Sequence, residues 1–134
     1  MVTVEKMMQF MGASQRRAIY EGLKGEERDF FVEKLREIAH TFDTMPKTYE
    51  QDGLGMMEAI AHLHYFKGGM DWWITERDSD QDGEGQIQAF GLADLGYGGE
   101  LGYISIAELI QNGVELDLYF TPCKLSELKQ AACV

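Results

Sequence analysis

The chain is predicted to fold as an α+β domain in which N-terminal helices pack on a mostly antiparallel sheet of about five strands with short helical inserts. Three observations point there. Apolar residues recur every three to four positions through the first part of the chain, then at every second position after residue 59. Gly- and Asp-rich turn segments punctuate the second part at short intervals. The 134 residues match one ordinary domain, and a hydrophobic fraction of 45% supplies one core without staples. The single domain, 1–134, thus has a helical part, 1–45, and a strand-rich acidic part, 48–134.

The elements follow in order. Val4, Met7, Met8 and Met11 share one helical face until Gly12 breaks the pattern, and these methionines read as core. Ser14 is placed to cap a second helix running to Leu23, with Gly25 as the next break. In the third helix Phe31, Leu35, Ile38, Ala39 and Phe42 form an apolar stripe, and Pro46 requires it to end beforehand. A turn segment, Thr48 to Gly55, separates these helices from the strands. The first strand spans Ala59 to Phe66, with Ala61, Leu63 and Tyr65 on one side and His62, His64 and Phe66 on the other. Lys67-Gly68-Gly69 turns into a second strand, Asp71 to Arg77, which holds Trp72 and Trp73. The acidic loop Asp78 to Gly85 leads to a third strand, Gln86 to Ala93, and glycines 96, 98 and 99 to a fourth, Leu101 to Ile104. Ser105 and Glu108 form a capping box for a short helix that stops at Asn112-Gly113. A last strand, Glu115 to Phe120, precedes Thr121-Pro122, which opens a final helix through Leu128.

Charge narrows the function classes. The net charge is −11, yet residues 1–40 carry seven acids and seven bases and are neutral. Residues 71–117 carry eleven acids against Arg77 alone. Such a surface repels phosphates and anionic lipid, which excludes direct nucleic-acid and membrane binding, and attracts basic protein surfaces. Asp71, Glu76, Asp78, Asp80, Asp82, Glu84, Asp94, Glu100, Glu115 and Asp117 are the candidate interaction face. Acidity that merely keeps a protein in solution is the alternative. No signal sequence or membrane-spanning run is legible, so the expected location is the cytoplasm. Cys123 and Cys133 have no metal-site spacing and read as reduced thiols, a bridge tying down the tail being the alternative.

Sites with chemistry are few. Asp78-Ser79-Asp80-Gln81-Asp82-Gly83 matches the first half of a calcium loop, where alternate aspartates supply hard oxygens and glycine permits the turn. Ala89 stands where the bidentate glutamate belongs, so a hairpin tip explains the same residues. His62 and His64 alternate on a strand and can share a transition metal, with Asp71 or Asp117 completing the set, although no third ligand has a diagnostic spacing. The glycines from Gly96 to Gly102 lie between strands rather than at a helix start, and read as a wide turn instead of a phosphate cradle. No serine sits in a nucleophile elbow and neither cysteine has a base beside it in sequence. No catalytic residue and no cofactor is therefore assigned.

Several segments together resemble a known family. These are His64-Tyr65-Phe66, Gly69, Asp71-Trp72-Trp73-Ile74-Thr75-Glu76, Gln88 to Gly96, Glu100 to Ser105, Glu108-Leu109 and Asp117 to Pro122. The family is one of uncharacterised domains, found on bacterial plasmids, integrative elements and phages and inside large phage polyproteins. The resemblance spans roughly residues 48–128. It implies a bacterial host cell and a neighbourhood of counter-defence genes, and it assigns no residue a role. With the lopsided charge, it ranks a non-enzymatic acidic protein-binding module of a mobile element first. The specific form expected is an inhibitor that occupies a basic nucleic-acid-binding surface of a host enzyme. A calcium- or metal-binding accessory domain and a structural domain of a phage or plasmid protein are the alternatives, and an enzyme ranks behind them.

Overall fold

A computed structural model describes residues 8–47, 57–78 and 89–128. Met8–Phe10 forms a single 3-10 turn where a helix is expected; the earlier part of that expected helix lies outside the described residues. Met8, Phe10 and Met11 are buried, as core methionines should be. Helix α1 spans Ala13–Leu23 and is capped by Gly12 rather than Ser14, with no side-chain cap. Helix α2, Arg28–Thr44, buries Leu35, Ile38 and Phe42 on the expected stripe, while Phe31 and Ala39 pack at its margin. Met45 ahead of Pro46 is extended, as the ring of the following proline demands.

The strands are β1 (Ile60–Ala61), β2 (Leu63–Lys67), β3 (Met70–Glu76), β4 (Ala89–Asp94), β5 (Gly99–Ile104), β6 (Glu115–Leu116) and β7 (Cys123–Lys124). Helix α3, Ile106–Gln111, lies between β5 and β6. Five strands form an antiparallel sheet in the order β5-β4-β3-β2-β6, and β1 pairs with β7 separately. Helices at the N-terminus and this sheet make the α+β arrangement expected. Gly68-Gly69 turns β2 into β3, residues 95–98 join β4 to β5, and α3 carries the chain back to the opposite edge. Ser105 Oγ accepts from the Glu108 amide at 3.2 Å to start α3, and Gly113, at φ 76°, ends it.

The sheet's inward face and the helices share one core. Leu63, Tyr65, Trp72, Ile74, Ala89, Ile104 and Leu116 pack with Phe10, Ile19, Leu35, Ile38 and Phe42. Tyr65 donates its hydroxyl to the Phe10 carbonyl at 2.7 Å inside that core. Gln15 ties α1 to β6 twice, donating to the Leu116 carbonyl at 2.7 Å and accepting its amide at 2.9 Å. Gly91 is required by close approach: a Cβ there would lie 1.9 Å from the Trp73 carbonyl oxygen, beside the register shift between Ile74 and Glu76.

Four further expectations change. The strand expected over Ala59 to Phe66 divides at His62, because β1 pairs with β7 while β2 pairs with β3 and β6. The strand expected over Glu115 to Phe120 leaves the sheet after Leu116. Asp117 Oδ1 accepts from the Tyr119 amide at 2.9 Å, and this local turn competes with further pairing. The final helix is a two-residue strand and a 3-10 turn, Leu125–Glu127. The Leu125 and Ser126 amides donate to the Ala59 and Met57 carbonyls and bury Leu125. Finally, Cys123 is disulfide-bonded, the alternative to the reduced thiol that spacing and compartment lead one to expect; Cys133 lies outside the described residues.

Candidate interaction face around His64

Strand alternation that buries Leu63, Tyr65, Trp72 and Ile74 sends the intervening residues to the other face of the sheet. The register sorts these into rows running across the strands. One row is His64, Trp73, Leu92 and Leu101, from β2 to β5. The next is Glu115, Phe66, Asp71, Asp94 and Gly99, from β6 to β5. Phe90 and Tyr103 stand opposite each other beyond the first row, their rings edge-on at 5.6 Å. Phe66, Trp73, Phe90, Leu92 and Leu101 are only half-buried. An aromatic and aliphatic row thus lies beside a row of three carboxylates.

His64 fixes the centre of this face. Its Nε2 lies 2.8 Å from Asp71 Oδ1 and its Nδ1 lies 2.9 Å from Asp117 Oδ2. The ring stacks on Trp73 at 5.2 Å and 10°, and Phe66 and Phe120 flank it. Only 12% of the histidine side chain is exposed. An ionised carboxylate accepts and never donates, so both contacts are hydrogen bonds together only when each ring nitrogen carries a proton. The imidazole therefore straps β3, β2 and the residue after β6 together.

This arrangement is unlike a catalytic dyad. In a histidine base one nitrogen is oriented by a carboxylate and the other is left to meet the substrate. Here carboxylates hold both. Nor do the three residues make a metal centre, since the two ring nitrogens face apart and each carboxylate is engaged by a different one. Among the described residues no three His, Cys, Asp or Glu side chains converge to hold a metal ion. His62 does not join His64. It lines a separate cavity of about 500 Å³ with His40, Thr41, Thr44 and Lys124, and burial lowers its pKa.

The expected acidic face contracts accordingly. Asp71, Asp94, Glu115 and Asp117 belong to the His64 face. Glu100 stands opposite Ala93, in register with Trp72, and so leaves β5 on the other face. Glu76 and Asp78 are 5% and 7% exposed and are interior groups rather than contact residues; Arg77 between them bridges to Lys47, just past α2. Asp80, Asp82 and Glu84 lie outside the described residues, as does most of the half calcium loop; its Asp78 is the buried residue just named. Gly96 and Gly98, both at φ 102°, form the wide turn between β4 and β5, with Asp94 Oδ1 accepting from the Gly96 amide at 2.8 Å.

Sequence reasoning named His64, Asp71 and Asp117 together but for a metal. It missed the roles of Phe66, Trp73 and Phe120. The signal for the first two was their alternation with buried residues; nothing in the sequence placed Phe120 beside them. A second cavity, about 440 Å³, lies on the opposite face between the sheet and α3. Lys67 in its lining already donates to the Asn112 carbonyl at 2.6 Å.

No helix among the described residues is long and apolar enough to cross a membrane. Comparison with curated proteins and with solved structures gives no match. The family model for a protein of unknown function, DUF2958, matches residues 31–133, reaching further into the helical part than the sequence resemblance does. The chain belongs to the DUF2958 family.

Proposed function

We propose that the protein is a non-enzymatic module that binds a protein with a basic surface through the His64 face. One observation carries this: Glu115, Asp71 and Asp94 align across the sheet beside the half-buried row of Trp73, Leu92 and Leu101. Carboxylates next to aromatic faces are complementary to arginine and lysine, which pair with the acids and lay their stems or guanidinium planes on the rings. The non-enzymatic part is supported by His64, whose two nitrogens are both held by carboxylates. A nucleic-acid-binding groove of a host enzyme is the basic surface this proposal names first, since such grooves collect arginine and lysine.

The test is capture from a bacterial lysate by the wild-type protein and by a D94N/E115Q variant, which leaves the His64 strap intact. One basic protein should be retained by the wild type in low salt, and released both by the double substitution and by high salt. Equal retention by wild type and variant would remove the His64 face as the binding surface.

A further inference from the structure

We infer that the edge of β5 turned away from β4, at Gly99–Leu101, takes up an extended, basic segment of the partner as a sixth strand. This deepens the proposed function and rests on it. Among the described strands β5 pairs only with β4.

Backbone direction along β5 follows from two hydrogen bonds at the far side of the sheet. The Asp117 amide donates to the His64 carbonyl, so His64 directs its backbone toward β6, and Leu63 and Tyr65 direct theirs toward β3. The His62 amide donates to the Ile74 carbonyl, which places Ile74 and Trp72 toward β2 and hence Asp71 and Trp73 toward β4. Their register partners Asp94 and Leu92 face back to β3, so Ala93 and Gly91 bond with Glu100 and Gly102. Gly99 and Leu101 therefore point their N–H and C=O groups off the edge.

Two further observations say what fits there. The row Glu115, Phe66, Asp71, Asp94 ends on Gly99, so a residue added opposite Gly99 continues the carboxylate row. Gly99 has no side chain to intervene, and Leu92 leans over it close enough to meet a Cβ at 2.8 Å. A lysine or arginine stem in the added strand lies on Leu92 with its charge toward Asp94. Around the edge, Leu95 and Tyr97 are 52% and 96% exposed, an apolar margin for the segment's alternate residues. Edge strands are ordinarily shielded by proline, lysine or a bulge, and Gly99–Ile104 contains neither proline nor lysine. A second copy of the chain is the poorer occupant, because each copy carries a net charge of −11 and would bring Glu100 to the same edge.

The probe is an acetylated and amidated hexapeptide of alternating arginine and valine, compared with a form N-methylated at every second residue. Amide exchange and chemical shifts are read by NMR on the full chain. In the free protein the Gly99 and Leu101 amides should exchange faster than those of Glu100 and Gly102, which bond to β4. The plain peptide should slow both by roughly ten-fold or more, and N-methylation should weaken binding by roughly ten-fold, because two strand hydrogen bonds are lost while the charge is kept. Slow exchange of Gly99 and Leu101 in the free protein would overturn the inference by showing the edge already taken, by its own chain or by a second copy. Equal binding of the two peptides, with shifts at Asp94 and Trp73, would also overturn it while leaving the His64 face as a basic-partner site. Absence of binding by either peptide in low salt would overturn it too, and lysate capture would then judge the face alone.

Discussion

Asp71 and Asp94 stand directly opposite each other on β3 and β4, and the two substitutions D94N and D71N should move stability in opposite directions. Cα atoms of a hydrogen-bonded antiparallel pair lie about 5.5 Å apart, which puts the carboxylates at roughly 6 Å. Two unit charges at that distance repel by about 0.7 kcal/mol in a water-like dielectric. The substituted amide keeps an oxygen for the Gly96 amide, which Asp94 Oδ1 accepts in the native chain, so D94N removes repulsion and little else. The expected gain is about 0.5 kcal/mol, in the range measured for like charges facing across strands. Spread over an unfolding entropy near 2.1 cal/mol/K per residue, that is a rise in Tm of about 2 °C. D71N instead weakens a charge-assisted bond to His64 Nε2, at about 1 kcal/mol in the unfavourable direction. Urea titrations followed by tryptophan emission, in dilute buffer and in 1 M NaCl, check both. The D94N gain should shrink in high salt, where the Debye length is about 3 Å. If both variants shift stability the same way, or the D94N gain ignores salt, the assigned roles of the two aspartates are wrong.

Other substitutions test the parts that hold this face in place. Y65F leaves the buried Phe10 carbonyl without its donor and should cost about 1–3 kcal/mol in denaturant titration; a neutral result would mean that water or another donor reaches it. G91A drives a Cβ into the Trp73 carbonyl, a backbone clash that side-chain rotation cannot relieve, and should cost on the order of 3 kcal/mol or shift the β3–β4 register in NMR spectra. Burial lowers the His62 pKa, so the unfolded chain binds the proton more readily than the fold does. Stability should then fall as pH drops below the ordinary histidine value of 6.5, and H62N should flatten that slope; an unchanged slope would place the acid sensitivity elsewhere.

How much was legible depends on the range of the interaction that fixes each element. The apolar stripe of α2 and the Ser105 cap are set by neighbours within a turn, and both appear where the sequence puts them. The alternation of Leu63 and Tyr65 with His64 is equally local and gave the two faces of β2. What failed was decided across the chain. His62 divides a strand that reads as continuous because partners some sixty residues on, Lys124 and Cys123, take Ile60 and Ala61. Asp117 ends β6 by accepting the Tyr119 amide, a turn signal that the flanking Leu116 and Leu118 outweighed in the pattern. Counting acids between 71 and 117 located the charge along the chain but not in space. Strand alternation separates Glu100 from Asp94, and burial removes Glu76 and Asp78, although all of them contribute equally to composition.

The His64 face is costly to build, which is itself informative about its use. Three carboxylates in one row destabilise the sheet through mutual repulsion, and both nitrogens of one histidine are engaged in serving β3, β2 and Asp117. A fold selected for stability alone would place an uncharged residue such as threonine at Asp94, since the register needs no charge there. The strap does make the arrangement tolerable: His64 anchors Asp71 and the Gly96 amide anchors Asp94, so each carboxylate is held locally while its charge still faces the row. Glu115, exposed on the short edge strand β6, has no such anchor among the described residues, and Gly99 at the other end has no side chain at all. The row is thus rigid at its centre and open at both ends. A basic segment approaching from β5 gains the anchored pair first, and D94N should therefore weaken it more than E115Q does.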